Sequence, residues 1–300
     1  MDMLLVAGAA FNALAAPRRI PIVLDTDIGS DIDDAFALAL VLKSPELELR
    51  AVTTVSGDTQ ARARLAAKML WDAGRKDVPV AAGEPGKKID ISQAAWGDGF
   101  SSPSLVSESA VNLLKREVDR GHGEMVLVAI GPLTNVAAFL QRYPEEKKKI
   151  KQIVLMGGSI ARGYYPNSGP TAEYNIATDA PAAQVVFTAG IPILMAPLDV
   201  TARLQVDESH LQRLFALSTP LAQDLRSLYL LWKQPTPTLH DPMAVSLLLD
   251  PSLCAIKPLA IRVDDRGMTI AEDGKPANAR VAVETDPARF IDFYMHRVAR

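Results

Sequence analysis

The chain has 300 residues, 48% hydrophobic and 22% charged, with a formal net charge of -3. That balance fits a soluble globular protein with a sizeable core, and the absence of a basic patch argues against nucleic acid or an anionic membrane as partner and for a small neutral or cationic ligand. The one cysteine, Cys254, excludes an internal disulfide and, within the apolar run LCAI, reads as a buried inert thiol.

Residues 1–17, MDMLLVAGAAFNALAAP, resemble an export signal whose n-region carries Asp2 and no Lys or Arg. Cleavage there would make the protein periplasmic or secreted; without it the protein is cytoplasmic. The run is too short to span a bilayer. Residues 18–300 show no repeat, low-complexity tract or linker and are expected to form a single domain.

Ile20 to Leu24 reads as a buried parallel strand, and AFALALVLK after Asp33-Asp34 as a helix. LELRAVTTVSGD is a second strand, TQARARLAAKMLWDAG its amphipathic helix with Gly74 as C-cap, and VPVAAG a third strand. Ser107 to Gly121 is helical, MVLVAIGP a fourth strand, LTNVAAFLQRYP a helix stopped by Pro144, and KQIVLMGG a fifth strand. Ser159 to Thr178 lacks a period and reads as a functional loop. PAAQVVFTAG and IPILMAP follow as helix and strand, and Asp207 to Trp232 is an amphipathic helical region suited to a lid or second lobe. His240-Asp241 precedes a helix with Pro242 at its first position. Ala255 to Arg300 reads as strands around a turn at Asp264 to Gly267, then a final helix. Alternating strands and helices predict an α/β protein, a mostly parallel central sheet with helices on both faces. Ligands of such sheets bind beyond the carboxyl ends of the strands, where the unusual clusters Asp25–Asp34, Ser56–Asp58, Gly131–Thr134 and Met156–Gly158 all fall.

Asp25, Asp27, Asp31, Asp33 and Asp34 crowd ten positions beside an apolar strand, a costly arrangement unless a cation or buried donors share the charge. Carboxylate oxygens without Cys or His favour calcium or magnesium. An EF-hand loop from Asp25 fails, since Gly29 and Phe36 stand at its fifth and twelfth positions. A haloacid dehalogenase-type phosphatase would draw its second acidic pair from far downstream, whereas here the pair is adjacent. A hard cation among Asp27, Asp34 and Asp241 would leave coordination positions for a vicinal diol, with Asn167, Glu173, Asn175, Asp33 and Asp58 supplying hydrogen bonds suited to a sugar. Asp27 could take a proton from water on that ion, the carboxylates would stabilise an oxocarbenium-like transition state, and His240 could protonate a leaving group. Trp96 could stack on a heterocycle or pack in the core. His122, His210 and His296 lie on polar segments and read as bystanders.

The motifs DTDIGSDIDD, TTVSGD, GPLTNVA, the spacing of Asn167, Glu173 and Asn175, and HDPMAV together resemble the inosine-uridine-preferring nucleoside hydrolase family, from Ile20 across nearly the whole chain. The resemblance implies a Rossmann-like nucleoside hydrolase fold, a calcium-dependent N-ribohydrolase of nucleoside catabolism and purine salvage, and a dimer or tetramer. It assigns Asp27, Asp34, the Thr134 carbonyl and Asp241 to calcium, Asp27 also to general base, and Asp33, Asn167, Glu173 and Asn175 to the ribose hydroxyls, with Met156 nearby. Three departures stand out: an acidic motif two residues longer than D-x-D-P-G-x-D-D, Asp58 where the family has Asn, and Trp96 where nonspecific members carry His. Trp96 is similar to the purine-preferring branch and His240 to the nonspecific one, so purines are expected ahead of pyrimidines. Asp58 and the longer motif leave open a binding protein without catalysis, and the Trp96 and His240 combination a hydrolase of an unusual riboside.

Overall fold

A computed structural model describes residues 19–300; residues 1–17, whose sequence resembles an export signal, lie outside the described part. Ten strands form: β1 Ile20–Thr26, β2 Leu47–Thr54, β3 Val80–Ala82, β4 Met125–Ala129, β5 Ile150–Met156, β6 Ile193–Ala196, β7 Cys254–Leu259, β8 Ile261–Val263, β9 Thr269–Ala271 and β10 Ala279–Thr285. Eight of them make one sheet in the order β3-β2-β1-β4-β5-β6-β10-β7, parallel throughout except where β7 pairs antiparallel with β10. β8 and β9 form a separate antiparallel ribbon around the expected turn at Asp264 to Gly267.

Successive residues of each central strand point to opposite faces, and each face meets its own core. Ile22, Leu24, Val126, Val128 and Val154 face one core, lined by helices Asp33–Leu42, Thr59–Asp72, His240–Leu249 and Pro287–Val298. Val23, Leu127, Ile153 and Leu155 face the other, covered by helices Ala110–Arg120, Thr134–Arg142 and Ala180–Phe187. Helices on both faces were expected, and burial on both faces explains why these strands read as continuous apolar runs.

Helix Asp33–Leu42 is buried along nearly its whole length and packs against helix His240–Leu249. Its alanines Ala35, Ala37 and Ala39 are fully buried. Helix His240–Leu249 starts at His240 itself, so His240 and Asp241 sit in its first turn and Pro242 is its third residue, not its first. A proline is tolerated there because the opening N–H groups have no intrahelical partner. The region from Asp207 to Trp232 splits into helices Glu208–Phe215 and Pro220–Trp232, the second capped by Thr219. Leu211, Leu214, Leu225 and Leu228 are sunk into the first core, so this region is part of the same packed body and not a second lobe. No helix among the described residues is long and apolar enough to cross a membrane.

Candidate active site

Beyond the carboxyl ends of β1, β4 and β5 lies a cavity of about 350 Å³. Asp27 and Asp31 line it from the turn after β1, Asp33 and Asp34 from the helix start that follows, Met156 from the end of β5, Glu173 and Asn175 from a short helix, Tyr174–Thr178, that Glu173 caps at the end of the expected loop, and His240 and Asp241 from the distant helix start. Asp33, Asp34 and Asp241 each bring an oxygen within 4.8 Å of the others, and all three are buried. Two helix N-termini therefore aim at one spot, which partly offsets the gathering of negative charge. The Asp241 N–H donates to Asp33 Oδ2 (3.3 Å) and the Thr26 hydroxyl to Asp34 Oδ1, fixing two of the three carboxylates.

Burial, followed by repulsion from one another, holds the Asp33, Asp34 and Asp241 carboxyls well above the ordinary aspartate range. Burial also raises Asp27, against the pull of the Arg62 guanidinium. Such a set cannot be fully ionised without a positive partner. Its all-oxygen, anionic donors fit a hard divalent cation, with Asp33, Asp34 and Asp241 as the residues able to hold it. The mutually close carboxylates are Asp33, Asp34 and Asp241, where Asp27, Asp34 and Asp241 were the expected ligands; the Asp241 N–H holds Asp33 beside them, and Asp27 lines the same cavity with its carboxylate against Gly131. A Cβ on Gly131 would stand 2.8 Å from Asp27 Oδ1, so only glycine permits this approach.

Opposite the triad, Glu173 accepts N–H bonds from Gly158 (2.9 Å), Asn175 (2.9 Å) and Ile176 (3.2 Å). Burial still lifts its pKa to about 7, the N–H bonds and the charge of Asp27 being secondary. The Asn175 amide donates to the carbonyls of Ile130 (3.1 Å) and Met156 (3.2 Å), tying the loop to two strand ends. His240 Nδ1 lies 2.9 Å from the Thr201 hydroxyl, and its ring meets Tyr164 edge-on. Burial depresses the His240 pKa to about 4, so the ring is neutral at pH 7 and any proton it gives comes from neutral imidazole.

Three expected contacts do not line this cavity, and the side chain of a fourth residue, Thr134, whose carbonyl was the expected ligand, turns elsewhere. Asp58 is exposed and caps helix Thr59–Asp72, accepting from the Ala61 N–H at 2.9 Å. Trp96 packs half-buried on the first core, with Lys68 Nζ 4.1 Å from its ring centre. Thr134 turns its hydroxyl to Asp179 (2.7 Å) in a separate surface hollow. Asn167 is exposed, its backbone at φ 64°, and lines a neighbouring hollow of about 750 Å³ that shares the walls Tyr164 and His240. Asp31 does line the cavity, from its exposed edge, and accepts from the Ile32 N–H at 2.6 Å.

Sequence reasoning missed the aromatic rim, Tyr164, Tyr174 and Trp232, and it missed Arg62. The Tyr164 hydroxyl accepts the Tyr174 N–H at 2.8 Å, and burial beside Glu173 raises its pKa. The Gly- and Tyr-rich composition of 159–178 was the available signal for the tyrosines. Arg62 carries no such signal, because its helix also bears Arg64 and reads as ordinary amphipathic.

A mostly parallel sheet with a buried carboxylate triad, and a carboxylate and carboxamide facing the same cavity at its carboxyl edge, is the arrangement of an α/β enzyme with its site beyond the strand ends. The family model described as inosine-uridine preferring nucleoside hydrolase matches residues 22–292, and the chain belongs to that family. Proteins named pyrimidine-specific ribonucleoside hydrolase RihA are similar to it. The one from Shewanella woodyi is 37% identical, with 91% of this chain and 96% of the relative covered; the one from Shewanella oneidensis is 34% identical, with 93% and 96% covered. Among solved structures, the plant nucleoside hydrolase PpNRh1 superposes with a TM-score of 0.82 at 29% identity, covering 95% of this chain and 99% of that one. A purine-preferring ribonucleoside hydrolase from Gardnerella vaginalis gives 0.80 at 28%, with 93% and 98% covered. The expected nucleoside hydrolase fold and enzyme class both hold.

Proposed function

We propose that this nucleoside hydrolase cleaves the N-glycosidic bond of ribonucleosides with a hard divalent cation, calcium, held by Asp33, Asp34 and Asp241. The buried triad facing Glu173 and Asn175 across one cavity carries this reading. When bound, the ion supplies a Lewis acid and open positions for a vicinal diol. Asp27, its pKa lifted by burial towards the working range, takes a proton from the attacking water. Glu173 and Asn175 orient the ribose, and the fixed carboxylates stabilise positive charge developing at the anomeric carbon. His240 serves the departing base as a neutral hydrogen-bond donor.

We infer a preference for pyrimidine bases, the reverse of what Trp96 suggested. Trp96 stands away from the cavity, and the RihA relatives at 34–37% identity carry pyrimidine-specific names. Of the departures behind a non-catalytic binder or an unusual riboside, Asp58 and Trp96 lie outside the cavity while Asp31 of the longer motif and His240 line it; the absence of the first two from the lining favours ordinary hydrolysis. The family match over residues 22–292 also supports one domain from residue 18 onward.

Reducing-sugar release from uridine, cytidine, inosine, adenosine and guanosine, with calcium and with a chelator, tests this on wild type and Asp27→Ala. Release from uridine and cytidine that both chelator and substitution abolish is the expected result. No release from any of the five, in protein that binds calcium, would overturn it.

A further inference from the structure

The turn from Asp27 to Ile32 carries the groups that meet the ion and the sugar, yet it belongs to no strand or helix. Its carbonyls nevertheless all find donors: that of Ile32 accepts from the Ala35 and Phe36 N–H groups of the adjoining helix, and the other five are met by residues distant in sequence. Arg62, fully buried, donates through Nη1 to the carbonyls of Asp27 and Ile28 (2.9 Å for the latter). Its Nη2 donates to Ser30 Oγ (3.0 Å) and its Nε to the Ser56 carbonyl (2.8 Å). Gln93, also fully buried, donates its main-chain N–H to the Gly29 carbonyl (3.1 Å) and Nε2 to the Asp31 carbonyl (2.8 Å). Ser92 Oγ approaches the remaining carbonyl, that of Ser30, at 3.5 Å.

A guanidinium in a dry interior is costly without compensation, and the donors of Arg62 go to main-chain oxygens and one hydroxyl. Its charge is compensated across the turn, by the carboxylates on the cavity side. Arginine suits this place because its planar fork grips several carbonyls in one geometry, which an ammonium cannot. We propose that Arg62 and Gln93 are positioning residues: they hold the back of the Asp27–Ile32 turn so that its carboxylates face the cavity already arranged for a divalent cation. Neither residue touches the ion or the sugar. The inference rests on the cation reading given above and extends it to the scaffold behind the site.

Calcium binding measured directly on the substrate-free protein tests this, with thermal midpoints recorded alongside. Arg62→Lys, which keeps the charge and loses the fork, is expected to bind calcium about 10- to 100-fold more weakly at temperatures well below its midpoint, with kcat falling in step. Gln93→Met, which keeps the volume and frees only the Asp31 carbonyl, is expected to weaken binding severalfold and serves if Arg62→Lys does not fold. Wild-type calcium affinity in either folded variant, with only the midpoint lowered, would make that residue plain core and overturn its part. Ordinary calcium binding by wild type with no sugar release would instead sink the hydrolase reading while leaving the variant comparison intact. No calcium binding by wild type overturns both.

Discussion

At the floor of the cavity Asp33, Asp34 and Asp241 are 3–4% exposed, whereas at the rim Tyr164 is 37% and Tyr174 47% exposed. The floor is assembled from two buried helix starts, with one oxygen each of Asp33 and Asp34 held by a named donor. The rim is set on a loop, on the first residue of the short helix Tyr174–Thr178 and on the last residue of another helix, Trp232, which is followed by Lys233 in the left-handed region. Precision costs conformational freedom, and the molecule invests it where charge is handled. The rim can vary with less penalty, which suits it to choosing the base.

Substituting Asp241→Asn should widen the contrast most. It removes a ligand while keeping shape, and kcat/KM should fall about 10³-fold or more with calcium binding lost, as read by calorimetry and sugar release. A drop below tenfold would mean the floor is not the reacting centre.

Removing the ion should expose the strain of the floor as a pH dependence of stability. Asp25 and Glu173 are raised to about 7, chiefly by burial, and the triad is raised in the same direction. These groups keep a proton in the folded state that the unfolded chain releases near its ordinary value. Stability is therefore highest at or below about pH 4 as far as these groups are concerned, and it falls as pH rises through about 7. In chelator, the thermal midpoint should drop from pH 5 to pH 8, and calcium should restore it most at pH 8. A midpoint in chelator that rises over that range would contradict the assignment.

At the rim, Trp232→Ala should change the ratio of uridine to inosine hydrolysis severalfold, about 1 kcal/mol of aromatic contact, with calcium affinity unaltered. Equal losses for every base would move Trp232 from selection to packing. The smallest effect is expected at Asp58→Ala, outside both regions. Loss of the cap should cost about 1 kcal/mol in a denaturation experiment while kcat/KM stays at the wild-type value.

Much of this fold is legible in the chain because its strands are buried on both faces: Val126 to Ala129 or Ile153 to Met156 need no partner to be recognised. The place of β10 between β6 and β7 is not legible, since strand order depends on contacts far apart in sequence. The acidic floor is legible for a related reason, as carboxylates beside an apolar strand signal their own expense. That the Asp33 carboxylate meets the N–H of Asp241, more than two hundred residues away, is not legible. Asp58 and Asn167 show the opposite limit. A polar residue at the right spacing can be spent on a helix cap, or turned outward by a left-handed backbone, without any change in the pattern.

The late position of β10 and of helix Pro287–Val298 bears on how the protein is made. As the chain leaves the ribosome, β1 to β5 and their helices can pair early, but β6 remains an open edge until residues 279–285 emerge to cover it. The last helix then packs on helix Asp33–Leu42, where the Tyr294 hydroxyl donates to the Phe36 carbonyl at 3.0 Å, one turn behind the carboxylates. The segment that clamps the first acidic helix thus emerges well after that helix, and a nascent chain stalled before it presents a bare edge strand and an unbraced site to chaperones and proteases.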